Sequence, residues 1–388
     1  MVDYVITQRV RARTRPRARE TTFLRRLDWT LLAVVAAIVG YGLWAIDGIT
    51  RHDVPGDPNY YVKRQAAYAL IGLAGLVGAA LIDPQLYRRH HRVVYGVLLA
   101  MLAAVPIVGT EIRSTRRWIE LGGFQFQPSE LGKLLIVLFL AAFLANRGKR
   151  IAEGRTVLAA TGLALVPMML VFLQPDIGSS VAYAAALWAT LFVAGTRWIH
   201  LSALLGAAAI AAVVVLWAAP AAGVELLEEY QRARLTGFVN PSENPQGSTY
   251  NITQSTTAVG AGGLDGRGVS GATQTNLNYL PEHHTDFVFA SLAEQRGFFG
   301  ASILLLLYLF LIWRTIKVIT YANDLFSATV AGGIAFLLLV QIFINVGMTI
   351  GMAPITGIPL PFVSSGGSSM VMNLLAIGVL QAICVRRR

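Results

Sequence analysis

Charge is what this sequence has least of. Only 14% of its 388 residues are Asp, Glu, Lys or Arg, where a soluble domain carries about a quarter. With 55% of the residues hydrophobic, the shortage argues against the two or three soluble domains that the length alone would suggest. Cysteine is almost absent too. Cys384 stands alone in the last apolar run, which excludes an internal disulfide framework and leaves it a packing role. No small-residue cleavage site follows the first apolar run, so that run reads as an uncleaved anchor. There is no internal repeat, which weakens an inverted-repeat transporter. The glycine cluster GAGGLDGRG fails the dinucleotide fingerprint, because Asp265 stands where the third glycine belongs, and there is no Walker Lys-Ser pair. It reads instead as flexible backbone able to approach a ligand closely. His283 and His284 are adjacent with no third histidine at suitable spacing, a weak metal signal.

Apolar runs are present in quantity. A helix crosses the hydrocarbon with about 20 apolar residues, and ten candidate spans lie near 29–46, 66–82, 93–109, 131–146, 156–173, 179–194, 198–218, 298–315, 326–348 and 367–385. The fold class expected is therefore an all-α polytopic membrane protein. Residues 28–388 would form a single ten-helix domain, preceded by a basic arm over 1–27. The net charge of +11 is concentrated in that arm and in YRRHHR, NRGKRIAEGR, GTRW, WRTIKV and the terminal RRR. Lysine and arginine gather on the cytoplasmic side of a membrane protein, so these loops and both termini are expected there, and a soluble nucleic-acid binder is excluded. The arm, without apolar periodicity, suits anionic lipid headgroups or a cytoplasmic partner. Loops 47–65, 110–130, 174–178, 219–297 and 349–366 then face outward, with 219–297 the large loop between the seventh and eighth spans.

One outward loop disobeys the charge rule. TEIRSTRRWIELGGFQFQPSELGKL places Arg113, Arg116 and Arg117 beside a span and Lys133 just inside the next. Charge at such positions points to function, and arginine forks match phosphate or pyrophosphate oxygens. Ion pairing with Glu111, Glu120 and Glu130 accounts for the same residues equally well. Trp118 alone is an interfacial anchor. Glu130 and Lys133, at i and i+3, share a helix face and can pair. Asp176, in FLQPDIGSS, can cap the helix that follows or hold a cation.

LPEHHTDFVF sets Asp286 at the outer edge of the bilayer. The glycines at 297 and 300 break the run that follows, so Asp286 is expected at the start of a short outer helix, with the true span beginning near Phe298. The helix dipole alone could favour a carboxylate there. The last outward loop is uncharged from Asn345 to Met370 and rich in Gly, Pro and Ser. It reads as irregular and partly re-entrant, a form tolerated where it lines a cavity or is buried in protein. Gln341 and Asn345, one turn apart, are expected to hydrogen-bond to neighbouring helices.

Together RRWIELGGFQFQPSELGK, FLQPDIGSS, YQRARLTGF, GGLDGRG, LPEHHTDFVFASLAEQRGFFG and GIPLPFVSSGGSSM resemble the shape, elongation, division and sporulation (SEDS) family of peptidoglycan glycosyltransferases. The resemblance covers nearly everything after the arm. GMAPITGIPLPF is similar to the elongation, RodA-like branch, with a division or sporulation paralogue as the alternative. Ser365 departs from the tyrosine that many members carry there.

The resemblance implies polymerisation of lipid II, with release of polyprenyl pyrophosphate, at the outer leaflet of the bacterial cytoplasmic membrane. It maps the family's essential aspartate onto Asp286 and its important tryptophan onto Trp118. Its other acids and lysine fall on Glu130, Lys133 and Asp176. Arg113, Arg116, Arg117 and Lys133 become candidate pyrophosphate binders. A divalent cation such as Mg2+ or Mn2+, held by Glu130 and Asp176, is left open. The implied partners are a class B penicillin-binding protein, other membrane proteins of the elongation complex, and membrane lipids. A lipid II flippase would use the same cations and remains the rival.

Overall fold

The computed structural model describes residues 23–112, 115–221, 223 and 249–387. Most of the basic arm, Arg113 and the part of the stretch between the seventh and eighth spans that carries YQRARLTGF lie outside the described residues.

Ten described helices are long and apolar enough to cross a membrane. They are α1 (Trp29–Ile49), α2 (Tyr60–Leu81), α3 (His91–Val108), α4 (Pro128–Arg147), α5 (Gly154–Phe172), α6 (Ile177–Ala194), α7 (Trp198–Val213), α9 (Val288–Tyr321), α10 (Leu325–Thr349) and α11 (Gly367–Val385). Between the seventh and eighth spans lies α8 (Tyr250–Gly262). Burial sorts them. α4, α10 and α11 bury most of their side chains and form the centre of the bundle, whereas α7 buries only Leu201. A helix apolar on every side and barely covered is a lipid-facing one. α2 and α11 run close because small residues permit it: a Cβ at Gly72 would lie 2.5 Å from Leu374 Cδ1, and one at Gly378 would strike the Leu76 carbonyl. Lipid gives no hydrophobic drive for helix association, so such close approach supplies the packing.

The loops separate into the two sets read from the charges. At one end Asp28 caps α1 through the Leu31 amide, and both its oxygens accept from Arg314 Nε at 2.8 and 2.9 Å. The Asp28 backbone exchanges two further hydrogen bonds with the Gln381 amide. Gln85 reaches Asp324 and Arg386 reaches the Leu81 carbonyl at this same end. The loops expected outside meet each other at the opposite end, where the candidate site lies.

Two features there differ from the sequence reading. The arginine-bearing loop is a small antiparallel sheet, β1 (Thr110–Ile112), β2 (Thr115–Leu121) and β3 (Phe124–Phe126), in the order β1-β2-β3. Its second turn is Gly122-Gly123, with φ of 57° and 87°, the pair of positive values that a two-residue hairpin favours. Only the first three residues of the glycine cluster read as flexible backbone, Gly260 to Gly262, fall in a helix, where they close α8. Its buried residues Ile252, Ser255, Ala258 and Gly262 recur at helical spacing, and a Cβ at Gly262 would strike the Ala293 carbonyl of α9. Here glycine serves helix packing.

α9 breaks at Gly297, where φ is 62° and ψ −163°, a backbone only glycine adopts without strain. The Phe298 and Phe299 amides donate to the Gly263 and Leu264 carbonyls instead. Residues 288–295, ahead of the break, are all buried. The short outer helix is therefore enclosed by protein, not laid on the membrane surface.

Candidate active site

Asp286 lies in the turn just before α9 and is half-buried. Three consecutive carbonyls of this turn are held from the last outward loop and α10. The Ser365 amide donates to His284 O at 2.9 Å, Ser364 Oγ to Thr285 O at 2.6 Å, and Asn345 Nδ2 to Asp286 O at 2.9 Å. Asn345 also donates to Ile358 O at 2.8 Å, so it joins two loops where helix partners were expected. The buried amide of Gln341 has no protein partner among the described residues.

The irregular segment after α10 is a buried connector. Ile355, Ile358, Leu360, Phe362 and Val363 are buried, and its carbonyls are satisfied by side chains from α2, α9 and α10. Gln65 donates to Ser364 O at 2.9 Å and Tyr308 to Pro361 O at 2.6 Å. Buried backbone needs such partners wherever regular structure does not supply them. Beyond it Ser368, in the first turn of α11, receives the Gln127 amide and donates to Gln125 O, both at 2.8 Å. The segment from Ser364 to Ser368 thus bridges the Asp286 turn and the hairpin, with hydrogen bonds at each end.

The other candidates group around the start of α4. Lys133 Nζ lies 2.6 Å from Glu130 Oε1, with the two side chains 1% and 4% exposed. Asp176 caps α6 through the Ser179 amide at 3.0 Å, and its second oxygen accepts from Gln127 Nε2 and Ser129 Oγ, both at 3.0 Å. The commoner structural reading of each residue, pairing and capping, is thus realised. Protein donors thus meet one Glu130 oxygen and both Asp176 oxygens. Arg117 donates through Nε to Gln174 O at 3.1 Å and through a second nitrogen to Pro175 O, which ties the sheet to the loop carrying Asp176. Arg116 is exposed and lies 3.5 Å from Glu111. Trp118 is half-buried in β2, opposite Thr110.

Three positions that sequence reading passed over also shape this end. Glu294 is wholly buried and accepts from the Gln274 and Thr275 amides and the Thr275 hydroxyl at 2.7–3.0 Å. It holds the turns after α8 against α9. Gln65 is described above. Asp53, in the loop between α1 and α2, meets His283 and His284. In that same loop Asp57 accepts a hydrogen bond from the Lys63 ammonium, in the first turn of α2, which holds its carboxyl below the usual range.

Ten spans with a pinned aspartate and a cation-bearing hairpin at one end define a multi-pass membrane protein with a polar site at one face. The chain belongs to the cell cycle protein family FtsW/RodA/SpoVE, whose model matches residues 25–388. It is 35% identical over 369 residues to the peptidoglycan glycosyltransferase MrdB of Escherichia coli K12, covering 93% of this chain and 94% of that one. Among solved structures it is similar to RodA, the rod shape determining protein of Thermus thermophilus. That likeness has a TM-score of 0.69 at 28% identity, over 93% of this chain and 97% of the other. It is also similar to a chain of a peptidoglycan synthase complex that coordinates polymerization and crosslinking. There the TM-score is 0.78 at 30% identity, over 92% and 97% of the two chains.

Proposed function

We infer that this chain is a peptidoglycan glycosyltransferase of the RodA-like type, joining lipid II units into β-1,4 glycan strands for cell elongation. The work is done at the outer leaflet of the bacterial cytoplasmic membrane. There a lipid-linked donor can keep its tail in the hydrocarbon while its sugars remain in water.

Asp286 is the general base. It takes the proton from the acceptor's 4-hydroxyl as that oxygen attacks the donor's anomeric carbon. The bond from that carbon to the pyrophosphate breaks, and polyprenyl pyrophosphate leaves with the electron pair. Attack from the opposite face inverts the α-linked donor to a β link. Arg116, exposed at the hairpin, is suited to meet the pyrophosphate, with Arg113 beside it in sequence. Lys133, Glu130, Arg117 and Asp176 hold the frame that presents these groups, and Trp118 flanks the arginines in β2. A class B penicillin-binding protein that crosslinks the product is the proposed partner, alongside other membrane proteins of the elongation complex.

The observation that carries this reading is the triple pinning of the backbone at 284–286. A general base is effective when its position is fixed before substrate arrives, and the three hydrogen bonds that hold the backbone at 284–286 support that reading. The test is polymerisation of lipid II by purified Asp286→Asn protein, read as glycan chain length. A positioned base contributes about 10²–10⁴ in rate, so a loss of that size is expected. Wild-type rates in a folded variant would overturn the assignment. Movement of lipid II across vesicles with no new glycan bond would favour the flippase instead.

A further inference from the structure

Near the proposed base, side chains from two distant parts of the chain converge. His283 Nε2 lies 3.0 and 3.1 Å from the two Asp53 oxygens, and His284 Nδ1 lies 3.8 Å from Asp53 Oδ2. One ligand atom from each of the three falls within 4.8 Å of the others. The side chains are only 6%, 12% and 18% exposed for His283, Asp53 and His284, so water covers little of the cluster. Leu280 O lies 3.2 Å from His283 Nδ1. A carbonyl can only accept, so Nδ1 carries the hydrogen, and in the neutral ring the Nε2 lone pair faces the carboxylate. Two electron-rich groups aimed at one point suit a cation between them, and a backbone hydrogen bond on the far nitrogen is the usual support of a metal-bound imidazole. The His284 ring is braced by Tyr61, with ring centroids 4.4 Å apart.

We propose that Asp53, His283 and His284 form a binding site for a divalent transition metal of the Mn2+ to Zn2+ class. Bonds of about 2.0–2.1 Å in a tetrahedral shell separate ligand atoms by about 3.4 Å. The separations of 3.0 and 3.8 Å from Asp53 Oδ2 to the two imidazole nitrogens bracket that value. Two imidazoles among three ligands disfavour Mg2+, which prefers oxygen. Three protein ligands leave a coordination position open. The metal would clamp the α1–α2 loop onto the turn that carries Asp286, three residues beyond His283. It does not require Asp286 to be the base, so the two readings fail separately.

The experiment strips the purified full chain with chelator and titrates it with Co2+, followed by visible absorption, and with Zn2+, followed by elemental analysis. A single tight site with nitrogen-containing ligation is expected. Asp53→Asn, His283→Gln and His284→Gln should each weaken it by at least the roughly 10–100-fold that losing a mere supporting partner costs. Thermal melting would confirm that each variant is folded. Absence of stoichiometric binding overturns the proposal, as does binding unchanged in all three folded variants. So does binding lost only on substitution of Glu130 or Asp176. Wild-type polymerisation by Asp286→Asn with the metal still bound would remove the catalytic assignment and leave the metal site standing.

Discussion

At the scale of single residues, the outward cations fall into two kinds. Arg116 is exposed, and its ion pair with Glu111 is loose enough to exchange for a phosphate. Arg116→Ala should raise the KM for lipid II about tenfold, the worth of one charge-assisted hydrogen bond, and leave kcat near wild type. Screening by salt should narrow the difference between variant and parent, which steady-state kinetics at two ionic strengths would reveal. Lys133 is of the other kind, enclosed and spent on Glu130. Glu130→Gln or Lys133→Met alone strands a buried charge, costing about 3–5 kcal/mol and lowering the Tm in detergent. The double variant removes both charges and should regain most of the lost stability. Polymerisation should return with it to within about tenfold, because the role of Lys133 is to hold the start of α4. Asp286 stood out in the sequence because a carboxylate at the edge of so apolar a chain demands an explanation. Asp53 did not, since one acid in a polar loop has no distinguishing mark until the fold brings it 230 residues along the chain to His283.

At the scale of elements, the break in α9 carries the most consequence. Gly297→Ala meets a positive φ and would press its Cβ onto Gly266 and Leu264 backbone. Such a change costs more than about 1 kcal/mol and should appear as a lower Tm. Glu294→Ala removes the acceptor of three hydrogen bonds and should make residues 264–276 a site of limited proteolysis, checked by peptide mapping. The break at 297 was legible, as glycines at 297 and 300 interrupt an apolar run. The hairpin was not, because TRRWIEL mixes charged and apolar residues on both faces of the strand and strand pairing depends on its neighbours. α8 was passed over because the glycines that close it drew attention ahead of the stripe of buried residues at helical spacing. The hairpin, α8 and the connector before α11 all owe their order to contacts with other elements.

At the scale of the molecule, the two ends of the bundle are built differently. One end is closed by Asp28, Arg314 and Gln381, a buried junction joining α1, α9 and α11. Asp28→Ala leaves the Arg314 guanidinium without its partner and should destabilise the protein by about 3–5 kcal/mol. Polymerisation per folded molecule should stay near wild type, because the junction lies across the bundle from the site. Thermal melting paired with activity at a temperature well below the transition would test both halves of that statement. The other end gathers four outward loops around the fifth, the segment preceding α11, and the candidate site lies there.

The sequence by itself determined the ten spans and the division of the loops into two sets. Those follow from one-dimensional quantities: the length of an apolar run against the bilayer, and the side on which lysine and arginine collect. It also marked Asp286 and most of the hairpin cations as exceptions to those rules. Only the tertiary structure decided which charges are spent on each other, which carbonyls pin the Asp286 turn, and that Asp53 faces two histidines. Hydrogen bonds and ion pairs act over a few ångströms between residues hundreds of positions apart, and no local pattern in the chain encodes that distance.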